Sequence, residues 1–524
     1  VANEGIHSTA SGLGSHSEGI NTTASGIASH AEGFQTIASY NSAHAEGSTA
    51  TSSGSASHAE GYLTNATADT AHAEGYGTIA SGAGSHAEGY LTIASGTTSH
   101  AEGSLTTASG LNAHAEGESN TASGNASHVE AEGESNTASG NASHVEGGGL
   151  DQLDQAAPNL ASGPGSHAEG VGTIASGFGA HAEGGTPNLN FSSGPVASGE
   201  FSHAEGYSAT TASGTGSHAE GFLSTASEFA AHAEGYITNS TGIASHSEGQ
   251  FTTSSGPGSH AEGTNTQATG VASHSEGSLT IADANYSHAG GSNTNTGGLE
   301  GAFIIGQNAV AAFPFSFHLG NGLVMGPTLN ASILDNAGNL RLDGAVISPA
   351  SADYAEMFET ADGNPIEPGY FVTFDGASDK IRKANADDDY ILGIVSANPA
   401  VIADASDLRW HKLFMTDEWG RVQYHEVMVF EKKDEKGNVI SPPSIRREPI
   451  LNPAFDTSKT YESRLLRPEW VAIGLLGKLL VRDDGTAMVG KFVKPNNEGI
   501  ATNSSDGYRV MRRTGPNQIL VLVK

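Results

Sequence analysis

Through residue 291 the chain repeats small and polar positions with a period of fourteen. Histidines stand at 16, 30, 44, 58, 72, 86, 100, 114 and 128, each inside a unit such as TIASGAGSHAEGYL (Thr78–Leu91). The register resumes at His167 and His181, and again from His218 to His288, after inserts around 147–160 and 185–195. A unit of this length, with Gly in its ASG and AEG steps, suffices for one coil of a β-solenoid with two very short strands. Gly is expected at the corners, where φ is positive. Coils stacked roughly 4.8 Å apart give a rod on the order of 100 Å long for about 20 turns, and the inserts become side loops.

The inward positions offered are Ala, Ser and Thr, with one larger apolar residue per coil at best, such as Ile79, Leu91 or Phe34. That core is too thin for one stack alone, which predicts association, with three chains as the favoured number. Counting back fourteen from His16 lands on Ala2, so the sequence opens inside a repeat and the natural protein is expected to extend further. The sixteen residues AEGESNTASGNASHVE occur twice head to tail, at 115–130 and 131–146, as slippage of a coding repeat would leave them.

The pattern changes after Gly291. A connector over 292–347 is richer in Phe and Ile and reads as a cap and neck, since an open solenoid end exposes backbone and core. Within it, DNAGNLRLDGAV (Asp335–Val346) carries the turn and alternation of a short hairpin. From 348 to 524 apolar runs such as YFVTF (370–374), YILGIVSA (390–397) and WVAIGLLGKLLV (470–481) alternate with Asp-Gly and Lys-Gly turns, predicting a compact β-rich domain. The organisation is therefore a repeat shaft over 1–291, a connector over 292–347 and a C-terminal domain over 348–524, all β.

Charge sharpens this division. No Lys or Arg precedes Arg341, while 29 of the 57 acids precede residue 301. So acidic a rod should repel nucleic acid and anionic membranes, which excludes nucleic acid as a partner. The absence of Cys removes disulfide and thiolate chemistry. No run of 18 apolar residues predicts membrane insertion, and VANEGIHS lacks the regions of a signal peptide. The column of His, with Glu two residues on, has two readings: a stacked, hydrogen-bonded ladder or a ring where chains meet, and a metal or anion site. The first is preferred, so no metal and no cofactor is expected. In either case charging the imidazoles in acid would introduce repulsion along the column.

The ASGxxSHAEG frame resembles the head repeat of trimeric autotransporter adhesins, over residues 2–291. That resemblance implies a left-handed parallel β-roll in a homotrimer. The segments SADYAEMFE, DGNPIEPG (362–369), ILGIVSANPAV (391–401), DEWGR (417–421), RPEWVAIGLLGKLLVRDDG (467–485), GIATNSSDGYRVMRR (499–513) and ILVLVK (519–524) together resemble the intramolecular-chaperone autocleavage domain. That family is assigned to the glutamic peptidases and found at the C-terminus of phage pre-neck appendage proteins. It implies a domain that helps three chains register and fold, then cuts itself off near the DYAE motif. By position its carboxylates are Asp353 and Glu356, and the cut falls at Ala352–Asp353 or Ser351–Ala352.

The residues themselves support such chemistry. Two carboxylates at i and i+3 share a face if the segment is helical. Their proximity would separate their pKa values, leaving one to activate water and the other to protonate the leaving amine. A cut in cis needs alignment rather than a substrate pocket. Ser351 is a rival nucleophile without an evident base, and a solvated helix start is the bland alternative for both acids. Arg464, Arg467 and Trp470 are read as packing, and His411 and His425 as structural. The expected function is a trimeric phage-appendage or surface fibre, in the virion or at the cell surface, that self-cleaves once and meets a receptor or glycan. The alternatives are a non-catalytic trimeric adhesin with a permanent C-terminal cap, and a polysaccharide-processing appendage.

Overall fold

The computed structural model describes residues 1–148, 151, 155–186, 193–323, 328–348, 352–410, 412–433, 439–441, 443–456, 458 and 460–524. They form two compact units, Val1–Ala345 and Val346–Lys524. The first is a parallel β-solenoid of about 22 turns. Each regular coil gives a strand that starts at the histidine and a two-residue strand that ends at Ala or Ser, as in His86–Tyr90 and Ile93–Ala94. Both pair in parallel with their own copies, so His86 lies over His100 and Ile79 over Ile93. The ladder closes across both inserts, His144 pairing with His167 and His181 with His203. In the duplicated sixteen-residue unit a register shift beside Glu118, which pairs with Glu134, absorbs the two extra residues.

Glycine and left-handed backbone coincide only in part. The Gly of AEG does take positive φ, 104° at Gly89. The Gly of ASG is favoured for its size instead: a Cβ on Gly96 would lie 1.9 Å from the Gly110 carbonyl oxygen in the next coil, although Tyr40, Ala68, Glu228 and Ala284 hold the equivalent position in other coils. Two other corners of each coil are left-handed yet often held by ordinary residues, such as Leu91 (φ 54°) and Thr98 (φ 55°). Left-handed backbone costs such residues about 1–2 kcal/mol each. Each corner is anchored by its backbone N–H, Leu91 donating to the Tyr76 carbonyl and Thr98 to that of Ala83, both at 2.8 Å.

The interior is smaller than the sequence suggests. Ala87 and Ala94 are fully buried, Thr92 and Ser99 lie beside them, and the Ser99 hydroxyl donates to the Gly96 carbonyl at 2.8 Å. Of the larger apolar residues expected inside, Phe34 (44% exposed) and Leu91 (38%) point outward, and Ile79 is half-buried. Two strands joined by such tight corners leave no internal room for them. Tyr62, Tyr76 and Tyr90 likewise stack on the outside, with ring centroids 5.1 and 5.0 Å apart.

Loss of the fourteen-residue spacing after Gly291 does not end the stack. The strand His288–Asn295 pairs in parallel with Phe303–Val310, which pairs in parallel with Phe317–Asn321. Phe303 and Phe317 continue the histidine column, with His288 to Phe303 at 4.2 Å between centroids. The direction then reverses into antiparallel Asn330–Leu334 and Leu340–Leu342, the expected hairpin. Its turn is fixed by the Asp335 carboxylate, which accepts from the Ala337 and Asn339 N–H groups and pairs with Arg341 at 2.9 Å.

The second unit is organised on the long strand Trp470–Arg482, whose first half pairs antiparallel with Asp353–Glu359 and whose second half pairs with Gln518–Val523. Ten strands join in this sheet among the described residues. Phe371, Ile394, Val481, Val493, Ile519 and Val521 form one core cluster, and Val372, Ile381, Val395 and Ile473 belong to another.

The two glycine roles can be separated within one coil. A Cβ on Gly258, at φ +63°, meets nothing within 4 Å, whereas one on Gly256 would lie 1.9 Å from the Gly270 carbonyl oxygen. Gly258→Ala is expected to cost about 1 kcal/mol. Gly256→Ala should cost more, up to about 3 kcal/mol, because backbone must move; Ala284, at the equivalent position, shows that the stack can absorb the shift. Thermal unfolding of the two variants checks this, and equal losses would contradict it.

Candidate functional site

Asp353 and Glu356 lie on a strand, Asp353–Glu359, and not on a helix. Successive side chains of a strand point to opposite faces, so residues three apart do not share one. Asp353 is buried with Ala355 and Met357, while Glu356 lies on the other face with Tyr354, whose hydroxyl donates to the Glu356 carboxylate at 2.7 Å. The expectation of a shared face, conditional on a helix, is therefore corrected: within one chain the strand holds the two carboxylates apart. The strand forms because Trp470–Arg482 and Val401–Ala403 supply ladders on its two edges.

Around the expected cut the backbone is tightly held. Gly477 pairs with Asp353 at φ +119°, and a Cβ there would lie 2.2 Å from the Ala352 carbonyl oxygen. The next N–H, of Lys478, donates to that same oxygen at 3.3 Å. A donor at this carbonyl is placed to steady negative charge developing on it. Ala352 is exposed and Ser351 lies outside the described residues. Burial pushes the Asp353 carboxyl above its ordinary range, opposed in part by the Ser396 side chain, and its Oδ2 has no hydrogen-bond partner.

Ala352 and Asp353 open on a cavity also lined by Glu367, Ser396, Asn398 and Lys478. Within one chain the carboxylate that shares this cavity with Asp353 is thus Glu367. It stands in the DGNPIEPG segment (362–369) that carries part of the family resemblance, but there its Glu-Pro-Gly turn reads as punctuation and not as chemistry. Arg464 is buried, pairs with Asp404 at 2.5 Å and lies 3.7 Å over the Trp470 ring; Arg467 is 5.4 Å from that ring. His425 is exposed on the strand Tyr424–Val429, and His411 lies outside the described residues.

In the shaft the imidazoles stack face to face, 4.8 Å between the centroids of His16 and His30 and 4.9 Å between those of His260 and His274. The glutamates form a parallel column lining a shallow groove. Hydrogen bonding to Glu102 first, and then to Glu74, pushes Glu88 up to about 7, and Glu102 does the same to Glu116. Burial and neighbouring imidazoles lower His58, His86 and His114.

Residues 307–518 match the family model described as Peptidase_G2, IMC autoproteolytic cleavage domain. The chain is 36% identical over 165 residues to the pre-neck appendage protein of Bacillus phage B103, covering 32% of this chain and 17% of that protein. It is 37% identical over 186 residues to the putative phage-related protein YobO of Bacillus subtilis, covering 35% and 21%. The chain thus spans about a fifth of the length of these relatives. Among solved structures, the C-terminal fragment of bacteriophage phi29 gene product 12 aligns over 33% of this chain and 100% of its own, at 34% identity and a TM-score of 0.27.

The buried Asp353 gives a test by linkage. With its pKa raised, the folded chain holds this proton more tightly than the unfolded chain, so the group's contribution to stability falls as pH rises from the ordinary carboxylate range through the shifted value. Asp353→Asn removes that loss. The variant's unfolding midpoint, relative to wild type, is therefore expected to be higher at pH 7 than at pH 4, and an equal difference at both would show an ordinary carboxyl.

Proposed function

We propose that this chain is the shaft and C-terminal part of a phage appendage fibre, assembled as a homotrimer and carried on the virion. On this reading residues from about 348 onward act as an intramolecular chaperone and then cut the chain near Ala352–Asp353. The observation that carries the proposal is the exposed Ala352, whose carbonyl is held by the Lys478 N–H beside a buried, protonation-prone Asp353. The autoproteolytic family match over 307–518 supports it. In the hydrolysis, water adds its oxygen to the Ala352 carbonyl carbon, the C–N bond breaks, and a proton passes to the Asp353 nitrogen. Glu356 takes the proton from water, Asp353 supplies the one for the leaving amine, and the Lys478 N–H steadies the oxyanion.

Because one strand sends the two side chains to opposite faces, we assign the working pair to two chains, Asp353 of one and Glu356 of its neighbour. Cleavage then waits for assembly and reports it. The exposed outer aromatics of the coils and the alanine-filled interior support association of chains along the shaft. A receptor or glycan at the cell surface would be the fibre's external partner. The opposed carboxylates also favour a second reading, in which the C-terminal domain is a permanent, non-catalytic trimer cap.

Intact mass after incubation separates these readings. Wild type is expected to give fragments 1–352 and 353–524, with Asp353→Ala and Glu356→Ala each staying whole. Co-assembled from mixed chains, the two variants should recover part of the cleavage. Uncut wild type that assembles normally would establish the permanent cap. Cleavage lost in Glu367→Gln but kept in Glu356→Ala would move the second carboxylate to Glu367. Gly477→Ala, which pushes on the Ala352 carbonyl, is expected to slow the cut by at least about tenfold, equivalent to about 1.4 kcal/mol of barrier.

A further inference from the structure

The histidine column does not satisfy itself. Stacked imidazoles were expected to hydrogen-bond within the ladder, yet Nε2 is screened from solvent and has no hydrogen-bond partner in coil after coil, at His44, His86, His100 and His203 among others. What faces Nε2 in most coils is one carboxylate oxygen, usually that of its own coil, at a distance too long for a hydrogen bond, and at His100, His114 and His203 a second from the coil before. His203 Nε2 lies 3.6 Å from Glu205 Oε2 of its own coil and 3.7 Å from Glu183 Oε1 of the coil before. His100 repeats the arrangement, 3.9 Å from Glu102 and 3.6 Å from Glu88. Two ligand atoms held about 2.1 Å from one tetrahedral ion stand roughly 3.4 Å apart, so these separations need to close by only a few tenths of an ångström. Groups of His, Glu and His with ligand atoms within 4.8 Å of one another recur along the shaft, His58, Glu60 and His72 being one.

Charge gives an independent reason. Glutamates repeat at the coil spacing, and neighbours about 4.8 Å apart that are both ionised repel by roughly 1 kcal/mol even in water. No Lys or Arg occurs before Arg341, so no basic side chain of the repeats can balance them. Neutral imidazole together with carboxylate suits borderline divalent ions better than calcium or magnesium, which take oxygen alone.

We propose that the His–Glu ladder of the shaft is a linear array of sites for divalent transition-metal ions of the zinc, cobalt and nickel class. Each ion takes one imidazole Nε2, the carboxylate of its own coil and that of the coil before it. One ion per two glutamates balances the charge, which over the nineteen glutamates of the column from Glu4 to Glu276 gives on the order of ten ions per chain. Bound this way, the ions tie successive coils together along the axis and stabilise the stack by mass action.

The test uses the full chain, stripped with chelator and then equilibrated with cobalt(II) in the presence of excess magnesium. Metal analysis after gel filtration is expected to find about ten ions per chain, with the visible absorption of cobalt ligated by nitrogen and oxygen. The unfolding midpoint should rise with cobalt and fall back on chelation. Replacing the six consecutive histidines from His58 to His128 by Gln is expected to remove about a third of the bound ions. The matching Glu→Gln block, which keeps the imidazoles, should remove a similar share. Should either block fail to fold, the spectrum and the chelator-reversible midpoint of the wild-type chain still decide. Less than one ion per chain, full displacement by magnesium, or binding unchanged in the folded histidine block would each overturn the proposal and leave only the diffuse ion cloud of an acidic rod.

Discussion

In-register parallel stacking is the constraint from which the rest of the shaft follows. Each residue lies over its own equivalent about 4.8 Å away, so any property of one position is multiplied along the axis. A methyl group that fits once fits in every coil, which is why alanine fills the interior. A Cβ that crowds one coil crowds the next, which is why the ASG glycine recurs in most coils, with Gly96 and Gly110 in contact, while Tyr40, Ala68, Glu228 and Ala284 hold the position elsewhere. The same rule stacks imidazole on imidazole, a favourable column, and sets carboxylate beside carboxylate, an unfavourable one.

The period and its register were legible because His recurs at fourteen-residue spacing in coil after coil, and the inserts were legible as departures from it. What the sequence concealed was direction. Phe34 and Leu91 are apolar and were assigned inward, but the corners are too close to admit them, and they lie outside with the tyrosines. The end of the stack was concealed for a related reason. Phe303 replaces His288 in the same column, so the geometry persists where the letters change. Left-handed corners held by residues such as Leu91 and Thr98 carry no compositional mark at all, because the surrounding ladder and not the residue's own preference selects them.

In the second unit the strands and turns were readable, and the local conformation of the DYAE segment was not. Asp353, Tyr354, Ala355 and Glu356 have no strong preference of their own, and spacing of three suggests a helix. The long strand Trp470–Arg482 overrides that by offering an edge along its first half. Tertiary pairing therefore determines which carboxylates can meet. Lys478 and Glu367 stand in segments that carry the family resemblance but were not singled out: one meets the Ala352 carbonyl by its backbone N–H, which no side-chain pattern reports, and the other stands in a Glu-Pro-Gly turn whose letters account for themselves.

The duplicated sixteen-residue unit, absorbed by a single register shift beside Glu118, has a consequence for how such a shaft changes length. A copied unit adds one more coil and leaves the histidine register on either side intact, so reach grows by whole increments of roughly 4.8 Å. The length of the shaft is in that sense a digital quantity, written in the copy number of a short stretch of coding sequence.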